Sequence, residues 1–156
     1  MRGEREPPGP SDAEAGIWQG RSIARRFVSP DGLTILVGRT AADNDVLSLR
    51  LAAPRDFWLH VSGTSGSHVV VRNPEGLERM PRATAQLAAA LAAGHSRARG
   101  GGSVAVHVTR CGDVRKPRGL APGQVELARF STVHATPLRE PPEVTEAPFP
   151  ARPQRR

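Results

Sequence analysis

Apolar and polar side chains alternate in short runs through the middle of the chain, and turn residues separate the runs. SIARRFV at 22–28 and LTILVG at 33–38 flank Ser29-Pro30-Asp31-Gly32. That is a strand, a turn in which Gly32 can take positive φ, and a second strand. Residues 40–53 predict a short helix, with Asp43 or Asn44 as its cap and Val46, Leu47, Leu49 and Leu51 as an apolar side. Residues 56–61 and 67–72 predict two further strands, joined by the flexible loop Ser62-Gly63-Thr64-Ser65-Gly66. PRATAQLAAALAAGHSRAR, starting at Pro81, is the clearest helix: Pro suits a first turn, Ala is the best helix former, and Gly94 can end it. SVAVHVTR at 103–110 alternates as a strand. VRKPRGLAPG at 114–123 is a basic loop, and QVELARF and STVHAT close the pattern as strands at 124–136. This order predicts the α+β class: a single compact domain, mainly antiparallel strands, with one or two helices packed on the sheet.

The ends read differently. Residues 1–16 are rich in Pro, Gly and acid, and residues 137–156 carry six prolines. Both are expected to be disordered tails around a folded domain at 17–136. Aromatic residues make up only 4% and Tyr is absent, so the core falls to Val, Leu, Ala and Ile, with Trp18, Trp58 and four Phe as the large pieces. No apolar run approaches the ~20 residues of a membrane span, and the first residues do not read as a signal peptide. A single cysteine, Cys111, excludes an internal disulfide framework and a multi-cysteine metal site. A cytoplasmic location follows as the expectation.

Charge changes the picture more than composition does. The chain carries a formal +7, and residues 17–136 hold 16 Arg or Lys against 8 Asp or Glu. The folded part therefore owns all the excess positive charge. From Arg79 to Arg118 eight basic residues face a single acid, Asp113. Such a field attracts polyanions, although an Arg-rich, Lys-poor chain with abundant Ala, Gly and Pro can also reflect a GC-rich genome.

Four strings carry a resemblance to a known family. FVSPDGLTILVGRTAADND at 27–45 has a strand, an Asp-Gly turn, a strand ending in Val-Gly-Arg and a following Asn-Asp. DFWLHVSGTSGSHVVVR at 56–72 has Asp-x-Trp-x-His followed by Gly-Ser-His and an apolar strand. The long helix runs into AGHSRAR at 93–99, and VRKPRGLAPGQV occupies 114–125. In this order and spacing they resemble the NFACT-R domain, an RNA-binding module of ribosome-quality-control NFACT proteins that also occurs as short stand-alone proteins. The resemblance covers roughly residues 22–136. Arg stands at several basic positions where the family has Lys, and His95 stands where an aromatic is expected. The resemblance implies RNA or ribosome binding without catalysis, with tRNA or rRNA as the RNA. It does not extend to the peptide-tailing role of the larger members.

The candidate chemistry has competing readings. His60, His68 and His107 fall on predicted strands, and alternation places Asp56, Trp58 and His60 on one face. They are either a catalytic or metal cluster or hydrogen-bonded histidines lining a groove; no second carboxylate, Cys pair or His-x-x-x-His spacing supports a ligand set. Gly63 and Gly66 either make a tight turn or let a phosphate reach backbone N–H groups, with Ser67 and His68 adding donors. Trp58 reads as core, and the scarcity of aromatics argues against a base-stacking sheet, so recognition should lean on phosphates and shape. Arg115, Lys116 and Arg118 sit in a loop stiffened by Pro117 and opened by Gly119; Arg97 and Arg99 follow a helix end that favours cations anyway. The resulting RNA-binding set is Arg39, Asn44, His60, Ser67, His68, Arg72, Arg97, Arg99, Arg115, Lys116 and Arg118, with no catalytic residue, metal or cofactor. The alternatives are a phosphate-ester hydrolase or nuclease using Asp56, His60 and His68, and a protein-interaction domain.

Overall fold

The computed structural model describes residues 11–140. A helical turn α1 (Asp12–Ala15) leads into a small hairpin of β1 (Ile17–Trp18) and β2 (Arg21–Ser22). Next come β3 (Ala24–Val28), β4 (Thr34–Gly38), α2 (Ala41–Val46) and a π-helical turn Leu47–Leu51. They are followed by β5 (Phe57–Val61), β6 (Val69–Val71), α3 (Arg82–Gly94) and β7 (Val104–Arg110). After a 3₁₀ turn at Cys111–Asp113, β8 (Val114–Arg115) pairs with β9 (Glu126–Leu127), and β10 (Ser131–Ala135) ends the fold. The main sheet has six strands in the order β10-β7-β5-β6-β4-β3, all antiparallel. The expected α+β class and antiparallel sheet are present.

The strand alternation divides the core in two. Ile35 and Val37, Phe57 and Leu59, and Val69 and Val71 point to one face, where the alanines of α3 and Leu91 cover them. The intervening Leu36, Trp58 and Val70 point to the other, under Leu47, Leu51, Ile23, Cys111 and Val114. Both faces of the central strands are therefore buried, and β6 reads Val-Val-Val because neither side meets water. Trp58 is 2% exposed and belongs to this core, as its setting in the sequence implied. Burial pushes the Cys111 thiol well above its ordinary pKa and keeps it protonated.

Three local expectations are corrected. Helix α2 is capped by Thr40, whose hydroxyl accepts from the Asp43 amide at 3.1 Å. Asp43 and Asn44 lie inside the helix and are buried, Asp43 pairing with Arg21 at 2.7 Å. That helix also widens into the π-helical turn instead of running regularly to Ala53, and Leu49 stays 39% exposed. Of residues 124–130 only Glu126 and Leu127 form a strand, and Val125 and Leu127 pack against the core.

The edges of the folded region also shift. Residues 11–16, assigned above to a tail, hold α1, whose Glu14 accepts from the Arg72 guanidinium at 3.0 Å. Beyond β10 the Leu138 amide donates to Ala90 of α3 at 3.0 Å. A Cβ on Gly94 would stand 2.3 Å from the Leu138 carbonyl oxygen, so glycine ends this helix because a chain crosses over it. The expectation of disorder for residues 1–10 and 141–156 lies outside the described residues. No helix among the described residues is long and apolar enough to cross a membrane.

Candidate nucleic-acid interface

The loop between β5 and β6 organises the site. Gly63 takes φ +78°, which turns the chain back. The Ser65 carbonyl then accepts from the Arg97 amide at 3.0 Å, and the Ser67 amide donates to the His95 carbonyl at 2.9 Å. A Cβ on Gly66 would lie 2.6 Å from the Ser96 Cβ, so glycine is what lets the loop lie against the end of α3. The Ser67 hydroxyl donates to the Gly38 carbonyl at 2.8 Å and fixes the loop to β4.

Behind the loop a chain of hydrogen bonds runs through the core. Trp58 Nε1 donates to Ser48 Oγ at 2.9 Å, and Ser48 Oγ lies 2.7 Å from His68 Nδ1. His68 Nε2 lies 3.0 Å from the Gly123 carbonyl. A carbonyl can only accept, so Nε2 carries the proton, Nδ1 accepts, and the Ser48 hydroxyl donates to it. The neutral ring is thereby satisfied at both nitrogens. Burial, with help from His60, brings the His68 pKa down to about 4, and burial also lowers that of His60. Asn44 Oδ1 accepts from the His68 amide at 3.0 Å, and a Cβ at Gly38 would collide with that oxygen.

The segment after the basic loop is tied down over these rings. Both Asp45 carboxylate oxygens accept from the Gly123 amide at 3.2 Å. Lys116 Nζ pairs with Asp45 at 3.1 Å and donates to the carbonyls of Ala121 and Gln124. An ammonium has three protons, and these partners use all three. Lys116 thus acts as a staple for residues 120–127.

Arg72 is also engaged within the fold. It is 14% exposed, pairs with Glu14 and with Asp56 at 3.2 Å, and donates to the Leu51 carbonyl. Asp56, at 1% exposure, further accepts from the amides of Ala53 and Asn73 at 2.8 Å each. Its carboxylate therefore holds turns together, as the His68 ring does between Ser48 and Gly123. Among the described residues no group of three or more His, Cys, Asp or Glu is placed to hold a metal ion.

Two clefts share the Ser65–Gly66 rim. The first, of about 570 Å³, lies between the sheet and residues 120–127 and is lined by Asn44, His60, His68 and His107 among others. The second, of about 400 Å³, is open and polar; Ser67, His95, Arg97, Arg99 and Arg139 line it, with no carboxylate among its lining residues. Arg97 and Arg99 face this cleft, Arg99 also donating to the Ser96 carbonyl at 3.3 Å. Burial lowers the His95 pKa, and the charges of Arg139 and Arg25 lower it further, while the hydrogen bond to the Arg139 carbonyl and the charge of Glu140 act the other way. Arg39, Arg115 and Arg118 are exposed but line neither cleft; Arg39 Nε donates to Ser22 at 3.1 Å. The sequence reading missed Arg139, assigned to a proline-rich tail. The signal was Leu138, an apolar residue just after the last strand.

A rigid antiparallel sheet carrying a helix on one face and an arginine-lined cleft at that helix's end defines a class, the small basic α+β binding module. Comparison with known proteins gives the particular family. Residues 24–129 match the family model described as the NFACT protein RNA binding domain. The Rqc2 homolog RqcH of Bacillus subtilis is 41% identical over 115 residues, covering 74% of this chain and 20% of that protein. The corresponding RqcH of Streptococcus suis is 33% identical over 121 residues, covering 77% and 21%. The solved C-terminal part of the fibronectin/fibrinogen-binding protein from Streptococcus suis superposes with a TM-score of 0.69 at 32% identity, covering 76% of this chain and 47% of that one. The chain belongs to the NFACT protein RNA binding domain family. It spans about a fifth of the length of these RqcH relatives.

Proposed function

We propose that this chain binds structured RNA, tRNA or rRNA, in connection with the ribosome, by gripping phosphates at the cleft beside the end of α3, and that it does so without catalysis. The observation that carries this is the convergence of Arg97, Arg99 and Arg139 on a polar cleft whose lining includes no carboxylate. Oriented guanidinium forks suit phosphate oxygens, and the Ser65–Ser67 loop is held by backbone bonds, so the cleft is formed before the ligand arrives. Membership of an RNA-binding family supports the RNA part of the reading, and the resemblance to ribosome-quality-control NFACT proteins supports its ribosomal setting. The residues that would serve hydrolysis support the non-catalytic part, since Asp56 and His68 are spent on structural hydrogen bonds. Crosslinking the full chain in cells and sequencing the bound RNA tests the reading. Enrichment of tRNA or rRNA is the expected outcome; recovery of no RNA above an uncrosslinked control would contradict it.

A further inference from the structure

Cleft chemistry differs on the two sides of the Ser65–Gly66 rim. The α3-end cleft has three arginines and no carboxylate in its lining. The cleft under residues 120–127 has neither Arg nor Lys in its lining, and Glu126 is the one carboxylate there. A phosphate placed in it would meet an acid and no compensating cation. What it offers instead is ring surface and apolar wall. Trp58 and His60 are stacked at 5.8 Å with planes 24° apart, and His68 meets both edge-on at 5.1 and 5.5 Å. Trp58 is buried but His60 is only partly so, and the ladder therefore ends on a ring that meets solvent. His107 stands directly opposite His60 on the neighbouring strand. Leu120, Val125 and Leu127 supply the apolar wall. Gln124 uses its Oε1 to accept from the Ala121 amide, which leaves its amide N–H groups as donors. The volume, about 570 Å³, lies in the ~300–1,000 Å³ range of small-ligand pockets.

We infer that this second cleft receives one unstacked nucleobase of the bound RNA, stacked against His60 beside His107, while the neighbouring phosphate lies across the Ser65–Gly66 rim among Arg97, Arg99 and Arg139. The two clefts share that rim, so adjacent parts of one polynucleotide can fill both. A neutral imidazole presents a π-face and both a donor and an acceptor nitrogen, which is how histidine stacks on and reads an unpaired base. Burial keeps His60 and His68 neutral around pH 7. The inference rests on the RNA-binding reading and adds to it a base-dependent component that the scarcity of aromatics had hidden.

The test compares two ligands on the full chain: a short single-stranded RNA and an oligomer of equal length and charge whose nucleotides are abasic. The RNA is expected to bind at least about five-fold tighter, the lower end of what one stacked base contributes. His107→Ala, and separately His60→Ala, should erase that preference, each variant binding the two oligomers alike; a thermal melt accompanies each variant. Because His60 leans on Trp58, a second measurement leaves the protein unaltered. The His60 and His107 ring signals are followed by NMR as adenosine 5′-monophosphate or ribose 5-phosphate is added. They should move with the nucleotide and not with the sugar phosphate. Equal affinity for the two oligomers with unmoved ring signals overturns the base pocket and leaves phosphate binding standing. Failure of both oligomers to bind overturns phosphate binding and base pocket together.

Discussion

His68 shows how a residue with the profile of a functional one can be spent on structure. In the sequence it follows Gly-Ser and precedes an apolar strand, which suggests a donor aimed at a ligand. In the fold it is 1% exposed and bridges Ser48 to Gly123 with both ring nitrogens. Its neutral form is therefore part of the native state. The pKa is about 4 in the fold against 6.5 ordinarily, so as pH falls below 6.5 the unfolded chain takes up the proton first. Stability is full above pH 6.5 and declines through the window down to about 4, by up to about 3 kcal/mol. Urea unfolding at pH 7 and pH 5 measures this. His68→Gln should lower stability at pH 7 and flatten the difference between the two pH values. An equally steep pH dependence in that variant would place the titration elsewhere.

Lys116 belongs to the element scale, because it decides whether residues 120–127 are a loose connection or a fixed wall. Its ammonium joins Asp45 on α2 to two carbonyls of that segment, and Asp45 also holds the Gly123 amide. Lys116→Ala leaves Asp45 partly buried and unpaired, which should cost about 1–2 kcal/mol. Hydrogen exchange at the Gly123 amide should speed up with it, whereas Arg115→Ala and Arg118→Ala should leave that amide unchanged. Equal exchange in all three variants would contradict the stapling role. The sheet was legible in the sequence because alternation at 103–110, and short apolar runs bounded by turn residues at 22–28 and 33–38, are local properties of strands. The wall was not. What makes it is an ion pair between Asp45 and a lysine 71 positions along the chain, and no local pattern encodes such a pairing. The same holds for Arg72, which reads as one more surface cation until Asp56 and Glu14 are placed beside it. Arg97 and Arg99 were legible because a basic pair after a helix-ending glycine is local; Arg139 reaches them only through the crossing of Leu138 over Gly94.

At the scale of the whole molecule the excess positive charge is not evenly available. Arg21, Arg72 and Lys116 are tied to Asp43, Asp56 and Asp45. Arg97, Arg99 and Arg139 instead come together on a cleft whose lining includes no acid. The central claim is that this cleft, and not the net charge, grips RNA phosphates. A salt titration of RNA affinity measures it most directly, comparing the native chain with Arg97→Ala, Arg99→Ala and Arg139→Ala combined. As a control, a second variant gives up the same number of charges through Arg50→Ala, Arg79→Ala and Arg82→Ala, which lie outside both clefts. Removing one phosphate-binding cation flattens the slope of log affinity against log salt by about 0.7–0.9. The cleft variant should therefore have a slope shallower by about two units or more, with a thermal melt close to that of the native chain, while the control keeps most of its slope. Equal slopes for the two variants would contradict the account and return RNA binding to a diffuse field.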